Sequence, residues 1–373
     1  MARQLLDLTS MQALVNIHRY IGLSLALLLV VIASSGALLL WIDEYHQWRM
    51  PELREELQDL EVEPAALAAA LDSAAWPVGT IAFPREGLPA ITLYHLNEGQ
   101  SFHAADDGSL IAHWLPLHSV YSFLFELHVH LLAGEPGHLI TGFAALLLIV
   151  MVKSGLPLWW RRRKVFKLRK WRPKSTKTHE LLGSHAAQGA IVGLGLLLVL
   201  LTGAGMVFNQ QTEALLKMIP GSTQELRPPA IDIEEVSGDI NWSAVLASAR
   251  ESFPEAAVRM ISLPQSADKP ISMRLKNPGE LHPNGRSYLS INPSTGEILG
   301  RVDATKTGPG PSVYNLIYPL HSGKTGWPGY RLLLFIVALG GVYLAVSGLW
   351  VYFRRAFLRR RNRQLIQRAG SQS

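Results

Sequence analysis

Four stretches of this sequence carry almost no charge, and each is long enough to cross a lipid bilayer. Tyr20 to Ile42 has no Asp, Glu, Lys or Arg over 23 residues, and Leu332 to Phe353 has none over 22. Ala186 to Gln211 is also free of charge, and His138 to Trp160 is broken only by Lys153, close enough to its end to reach the headgroups. A hydrocarbon core of about 30 Å takes about 20 helical residues. Inside it every backbone group must be paired within the segment, so such runs become helices. The expected fold is therefore an α-helical membrane protein with a bundle of four spans.

Charge sets the expected topology. Arg161-Arg-Arg-Lys164, Lys167, Arg169, Lys170, Arg172, Lys174 and Lys177 follow the second run, and Arg354-Arg355 and Arg359-Arg-Arg361 follow the fourth. Basic flanks stay on the cytoplasmic side. The chain then divides into span one with a short cytoplasmic N-terminus (1–42), an outer polar segment (43–136), span two (137–160) and a basic cytoplasmic loop (161–184). Span three (185–211), a second outer segment (212–329), span four (330–353) and a basic cytoplasmic tail (354–373) complete it. The first apolar run lacks a small-residue cleavage site and is expected to stay as an anchor.

The two halves repeat, and repeats are sought before fold. His18 is followed by Gly22 and Gly36, four and eighteen residues on, and His185 by Gly189 and Gly203 at the same offsets. Eighteen residues are about five helical turns, roughly 27 Å, so each histidine and its far glycine share a face at opposite edges of the bilayer. In the other two spans, His128 precedes Ser154-Gly155 and His321 precedes Ser347-Gly348, with 27 residues from histidine to glycine in both. A Gly/Pro-rich break follows each of these histidines and sets it outside the regular span. The polar segments also align: Trp76 to Pro84 parallels Phe253 to Pro264, and Asp106 to Leu110 parallels Pro293 to Leu299. Glu52, Glu55, Glu56, Asp59, Glu61 and Glu63 make the first segment acidic at its start, and Pro64 to Leu71 follows as a short helix. Each segment is then expected to form a small α+β unit, one helix followed by three strands, with strands at Ile81 to Phe83, Ala90 to His95 and Ser109 to His113 in the first.

Paired histidines at equal membrane depth point to chemistry, because intramembrane ionisable groups are costly. The sequence has no cysteine. That excludes disulfides, iron–sulfur clusters, thiolate zinc sites and covalently attached c-type heme. A b-type heme needs two neutral histidines on facing elements with small residues beside the ring. His18 with His185 is the expected ligand pair of an inner heme, and His128 with His321 that of an outer one. Gly22 and Gly189 would bare the helix beside the inner ring, and Gly36 and Gly203 would leave room for the outer ring. His179, in His179-x3-Gly183, rivals His185; His130 and His138 rival His128. A zinc or copper site fits less well, since His128-x-His130 has no further ligand at close spacing. His46, His95, His103, His113 and His282 lie in polar segments and are expected at the surface; His118, in Pro116-Leu-His-Ser119, echoes Pro319-Leu-His-Ser322 without an evident role. Arg19, Arg331 and Lys153 are candidates for offsetting heme propionates. The net charge of +6 sits in membrane flanks, and no basic segment carries a nucleic-acid motif. No flavin or nicotinamide fingerprint occurs, so electrons would come from a protein partner, a quinol or a diffusible reductant such as reduced flavin.

These motifs together resemble a known family. His18-x3-Gly22 with Ser35-Gly36, Glu126-Leu-His128 with Leu132-x-Gly134-x2-Gly137, Thr202-Gly203 and Pro319-Leu-His-Ser-Gly323 are similar to the PepSY-associated transmembrane proteins, iron-regulated inner-membrane proteins that include the ferrioxamine siderophore reductases. Tyr288-Leu-Ser-Ile-Asn-Pro-Ser-Thr-Gly-Glu-Ile-Leu299 resembles the PepSY strand–turn–strand. The resemblance implies a four-helix bundle in a bacterial inner membrane, two periplasmic PepSY-like domains and two b-type hemes. It also implies an oxidoreductase that reduces ferric siderophore, of hydroxamate type, outside the membrane, with His18, His185, His128 and His321 at the ligand positions. Ala105-Asp-Asp-Gly108 departs from the Pro-x-Thr-Gly turn, so the first PepSY copy is expected to be degenerate. Because PepSY domains are associated with protease inhibition, a sensor or protease-regulating membrane protein without redox activity is the rival reading. A heme subunit serving another periplasmic reductase is a third.

Overall fold

The computed structural model describes residues 2–54, 62–165, 167–222, 225–234 and 239–370. Glu55, Glu56, Asp59 and Glu61 of the acidic stretch lie outside them. The chain divides into two compact units, one from residues 1–40, 124–207 and 329–373, the other from 41–123 and 208–328.

The first unit is helical. Its long helices are α1 (Ala2–Leu39), α5 (Gly134–Arg162), α6 (Thr178–Val207) and α10 (Pro328–Gly370). All four are long and apolar enough to cross a membrane. They share two apolar layers. Ala26, Leu29, Leu148 and Ala345 bring α1, α5 and α10 together, and Val152, Val192, Leu196 and Val337 bring α5, α6 and α10 together. In lipid, close packing replaces the hydrophobic effect as the force between helices, and small residues let backbones approach. A Cβ on Gly195 would stand 2.6 Å from Val337 Cγ2, so that α6–α10 contact depends on the missing side chain. The basic tail expected after residue 353 continues as helix to Gly370.

The second unit is one antiparallel sheet of eight strands. Its helices are α2 (Ile42–Arg49) and α3 (Pro64–Asp72) in the first polar segment, and α7 (Asn209–Lys217), α8 (Trp242–Ser252) and α9 (Pro309–Ser322) in the second. A further helix, α4 (Val120–His130), leads from the sheet toward α5. The strands are β1 (Val78–Ala82), β2 (Ile91–His95), β3 (Gly99–His103), β4 (Leu110–Trp114), β5 (Ala257–Ser262), β6 (Ile271–Lys276), β7 (Ser287–Ile291) and β8 (Ile298–Val302). Their order is β4-β3-β2-β1-β5-β6-β7-β8.

Two expectations are corrected here. Each half has four strands rather than three; β3, with Gly99, Gln100 and Ser101, carries a weak strand pattern and gains its place from pairing with β2 and β4. The halves also do not form two separate domains, because β1 pairs with β5, setting Ile81 opposite Ile261. Alternate residues of the joined strands face one shared core. Ile81, Ile91, Leu93, Ile261, Ile271, Met273, Leu275, Leu289 and Ile291 pack beneath Leu67 of α3 and Val245 of α8. The departing turn is not degenerate in shape: Gly108 and Gly296 have φ of 76° and 75°. A Cβ would meet Ala66 O of α3 at 2.2 Å in the first turn and Ala244 of α8 at 2.9 Å in the second, so each turn is pressed against the helix of its half.

The polar-segment histidines are corrected as well. His46, His95, His103 and His282 are buried, and His113 is half-buried. On the helix-covered face, His95 Nε2 and His103 Nε2 share the Ser101 hydroxyl at 2.8 and 2.9 Å. Their Nδ1 atoms reach the Trp76 and Gly108 carbonyls at 3.2 and 3.1 Å, and Trp76 stacks on His113. These polar side chains sit at the end of the core face, and their burial is made tolerable by Ser101 of β3 and by the Trp76 and Gly108 carbonyls, which lie outside the strands.

Candidate cofactor site

The helical unit contains a cavity of about 600 Å³, the size of a small-molecule or cofactor pocket. His18 of α1 and His185 of α6 both line it, their ring centres 6.2 Å apart and their planes inclined at 81°. With a metal–imidazole bond of about 2.0 Å and roughly 1.2 Å from ring nitrogen to ring centre, two imidazoles on opposite sides of one iron have centres about 6.4 Å apart.

Both rings are held by the other nitrogen. His18 Nδ1 donates to Met151 O at 3.0 Å. His185 Nδ1 bonds Ser347 Oγ at 3.0 Å, and that hydroxyl donates in turn to the Leu344 carbonyl at 3.2 Å. A proton fixed on Nδ1 leaves the Nε2 lone pair for a metal, and such outer partners are what orient ligand histidines. Among the described residues neither Nε2 has a hydrogen-bond partner.

The glycines explain how these rings are seated. A Cβ on Gly155 would fall 2.9 Å from His18 Cε1, and one on Gly348 would fall 3.4 Å from His185 Cε1. A helical side chain covers the turn N-terminal to its own Cα, so a glycine bares the carbonyl four residues earlier. That carbonyl is Met151 for Gly155, bonded by His18 directly, and Leu344 for Gly348, reached by His185 through the Ser347 hydroxyl. The same device recurs at Gly36, where the site of the missing Cβ lies 2.7 Å from His128 Cε1 and His128 Nδ1 donates to Ile32 O at 2.9 Å. The space over Gly36, expected to admit a macrocycle, is instead filled by the His128 imidazole. Gly22 and Gly189 do line the cavity, and Gly203 lies in α6.

The remaining histidines sort by surroundings. The His179 side chain is 73% exposed and faces Glu180, so it is no partner for His18. His130 bonds Glu126 Oε2 at 2.8 Å and lies 5.2 Å from the His138 ring. His128 belongs to the helical unit, on α4, and His321 to the sheet unit, on α9. His118 is exposed and bonds its own turn at Pro116 O. Among the described residues no group of three or more His, Asp or Glu is arranged to hold a metal ion. The His18–His185 pair offers two imidazole donors beside the cavity.

One end of the cavity is basic. Arg19 lines it with Arg355, Arg359, Arg360 and Arg363 of α10. Sequence reasoning passed over these α10 residues as a cytoplasmic tail. Their spacing of four from Arg355 to Arg359 to Arg363 is the signal that was available, since it continues one helical face beyond Gly348. Arg331 and Lys153 do not line the cavity.

A family model described as the PepSY-associated TM region matches residues 15–355. No curated protein matches the sequence.

Proposed function

The chain belongs to the PepSY-associated TM region family, and from that premise we propose that it is a b-type heme reductase of a bacterial inner membrane, carrying electrons outward to ferric siderophore. The observation that carries this reading is the His18–His185 pair, two imidazoles at metal-spanning separation, both with Nδ1 engaged, in a cavity of about 600 Å³.

His18 and His185 would hold the inner heme through Nε2. Gly22 and Gly189 keep its wall free of side chains, and Arg19 with the α10 arginines would offset its carboxylates. When bound, the heme supplies a one-electron ferric/ferrous couple. A second heme on His128 and His321 is proposed on the sequence repeat alone, and the mirrored strand order supports descent of the two halves from one duplicated unit. Seating His128 on Gly36 fixes its proton on Nδ1 in the way His18 and His185 are fixed. One electron converts a ferric chelate to a ferrous one, which hydroxamate oxygens hold far more weakly. A quinol donor would serve two chelates and release two protons; a protein or reduced flavin is an equivalent donor. Both termini would be cytoplasmic, with the basic flanks inside.

The purified full chain should be red, with the absorption of low-spin bis-histidine heme, and reoxidise after dithionite when ferric siderophore is added. His18→Ala and His185→Ala should each remove about one of two hemes by pyridine hemochrome, while His179→Ala should remove none. A colourless preparation would overturn the reductase reading in favour of a sensor or protease-regulating role. Bound heme that no ferric chelate reoxidises would point to a subunit of another periplasmic reductase.

A further inference from the structure

The sheet unit concentrates cationic side chains around one tyrosine. Tyr288 of β7 lies opposite Arg274 of β6. The Arg274 and Arg227 guanidinium carbons are 5.6 and 5.8 Å from its ring centre. Arg286 Nη1 donates to the Tyr288 hydroxyl at 3.4 Å, and its guanidinium lies over Tyr314 of α9. His282 is buried beside them, stacked on Tyr318 at 4.9 Å. Its Nδ1 accepts from Asn284 N at 3.1 Å and faces Arg274 Nη2 at 3.4 Å, which leaves its proton on Nε2.

Among the described residues no carboxylate pairs with Arg227, Arg274 or Arg286. Glu280 is near but otherwise engaged. Its Oε2 accepts from the Arg286 backbone N–H at 2.6 Å, and its Oε1 from Asn277 N and Ser287 Oγ, each at 3.0 Å. The Nε atoms of Arg274 and Arg286 are buried with no partner. Burial raises the Tyr288 hydroxyl, yet the three guanidiniums outweigh it and bring that hydroxyl below its usual range.

Like charges gathered at half-buried positions such as Arg274 and Arg286 are costly, and buried polar groups are normally paired. Contact with the tyrosine rings offsets only part of that cost. Planar guanidinium forks match the paired oxygens of carboxylates and phosphates. We propose that the Arg227–Arg274–Arg286 cluster around Tyr288 is a binding site for a small multivalent oxyanion. Polycarboxylates and inorganic phosphate share that chemistry. The site is independent of the electron-transfer reading, and its test uses no redox signal.

The test is calorimetry on the full chain in detergent, titrating citrate and, separately, inorganic phosphate at ionic strength fixed with chloride. Saturable binding of citrate alone assigns a carboxylate ligand, and of phosphate alone a phosphate. Arg227→Gln, at an exposed position, should weaken binding at least fivefold without moving the melting temperature. Arg286→Gln should weaken it at least tenfold, with partial recovery in Arg286→Lys. His18→Ala should bind the anion as the parent does. Absence of binding by both anions, or affinity unchanged in Arg227→Gln, overturns the proposal. Should Arg286→Gln fail to fold, Arg227→Gln alone decides.

Discussion

Substituting alanine at two equivalent glycines should have unequal effects. At Gly155 the new methyl would stand 2.9 Å from His18 Cε1 and 3.1 Å from its Nδ1. Ordinary carbon contacts lie at about 3.5–4.0 Å, so the ring must retreat by roughly 0.7 Å. The His18 Nδ1 to Met151 O bond, now 3.0 Å, would stretch beyond hydrogen-bonding range. The lost bond costs about 1 kcal/mol and the overpacking about 1–3 kcal/mol. At Gly348 the corresponding distances to His185 are 3.4 and 3.8 Å, already ordinary contact, and alanine should cost under about 1 kcal/mol. Heme retention should therefore weaken by tenfold or more in Gly155→Ala and change little in Gly348→Ala, each tenfold being about 1.4 kcal/mol. The assay is heme content by pyridine hemochrome after dilution into apomyoglobin, with the melting temperature measured in parallel. Equal retention in the two variants, or a greater loss in Gly348→Ala, would refute the idea that these glycines seat the imidazoles.

Two further predictions concern the sheet unit. His46 sits among Phe102, Trp114 and Tyr121 with neither ring nitrogen hydrogen-bonded, and burial pushes its pKa down to about 4. A histidine depressed on folding contributes stability that is complete above its unfolded pKa near 6.5 and fades as pH falls toward 4; at pH 5 the loss is about 2 kcal/mol. His46→Phe should remove that share of the acid sensitivity, seen as a smaller drop in melting temperature between pH 7 and pH 5; identical drops would contradict it. Asp43 pairs with Arg85 at 2.8 Å and with Lys324 at 3.0 Å. Burial raises its carboxyl, but these two cations dominate and hold it well below the usual carboxylate range. Its contribution is complete above the unfolded pKa near 3.9 and is lost as pH falls below it. Asp43→Asn should destabilise the unit at pH 7 by about 2–4 kcal/mol, by leaving two half-buried cations without their anion. An unchanged denaturation midpoint would exclude that role.

The spans were legible because absence of charge over more than 20 residues has one outcome in lipid. The His18–His185 pair was legible because repetition of an offset signals shared geometry where a lone histidine does not. Other features needed contacts that a sequence does not display. The β1–β5 pairing joins residues far apart in the chain, so nothing local distinguished one sheet from two. His46, His95, His103 and His282 lie in polar surroundings along the chain yet are buried by strands and helices from elsewhere. Ser35-Gly36 and Ser154-Gly155 were visible as motifs, but what each glycine admits depends on which helix lies opposite. Arg355, Arg359 and Arg363 were discounted because a basic run after a span has a sufficient explanation in topology.

The central strand pair also constrains how the chain can be made. Between β4 and β5 lie α4, α5, the basic loop, α6, α7 and α8, about 140 residues in all. At about 5–20 residues per second, the first four strands wait on the order of 7 to 28 seconds for their neighbour, with β1 as an open edge. An unpaired edge is a template for wrong partners. The interval from the first half to the second is thus the stage of greatest aggregation hazard in biosynthesis. Two separately expressed halves would each end in a complementary unpaired strand and should recover solubility only when produced together.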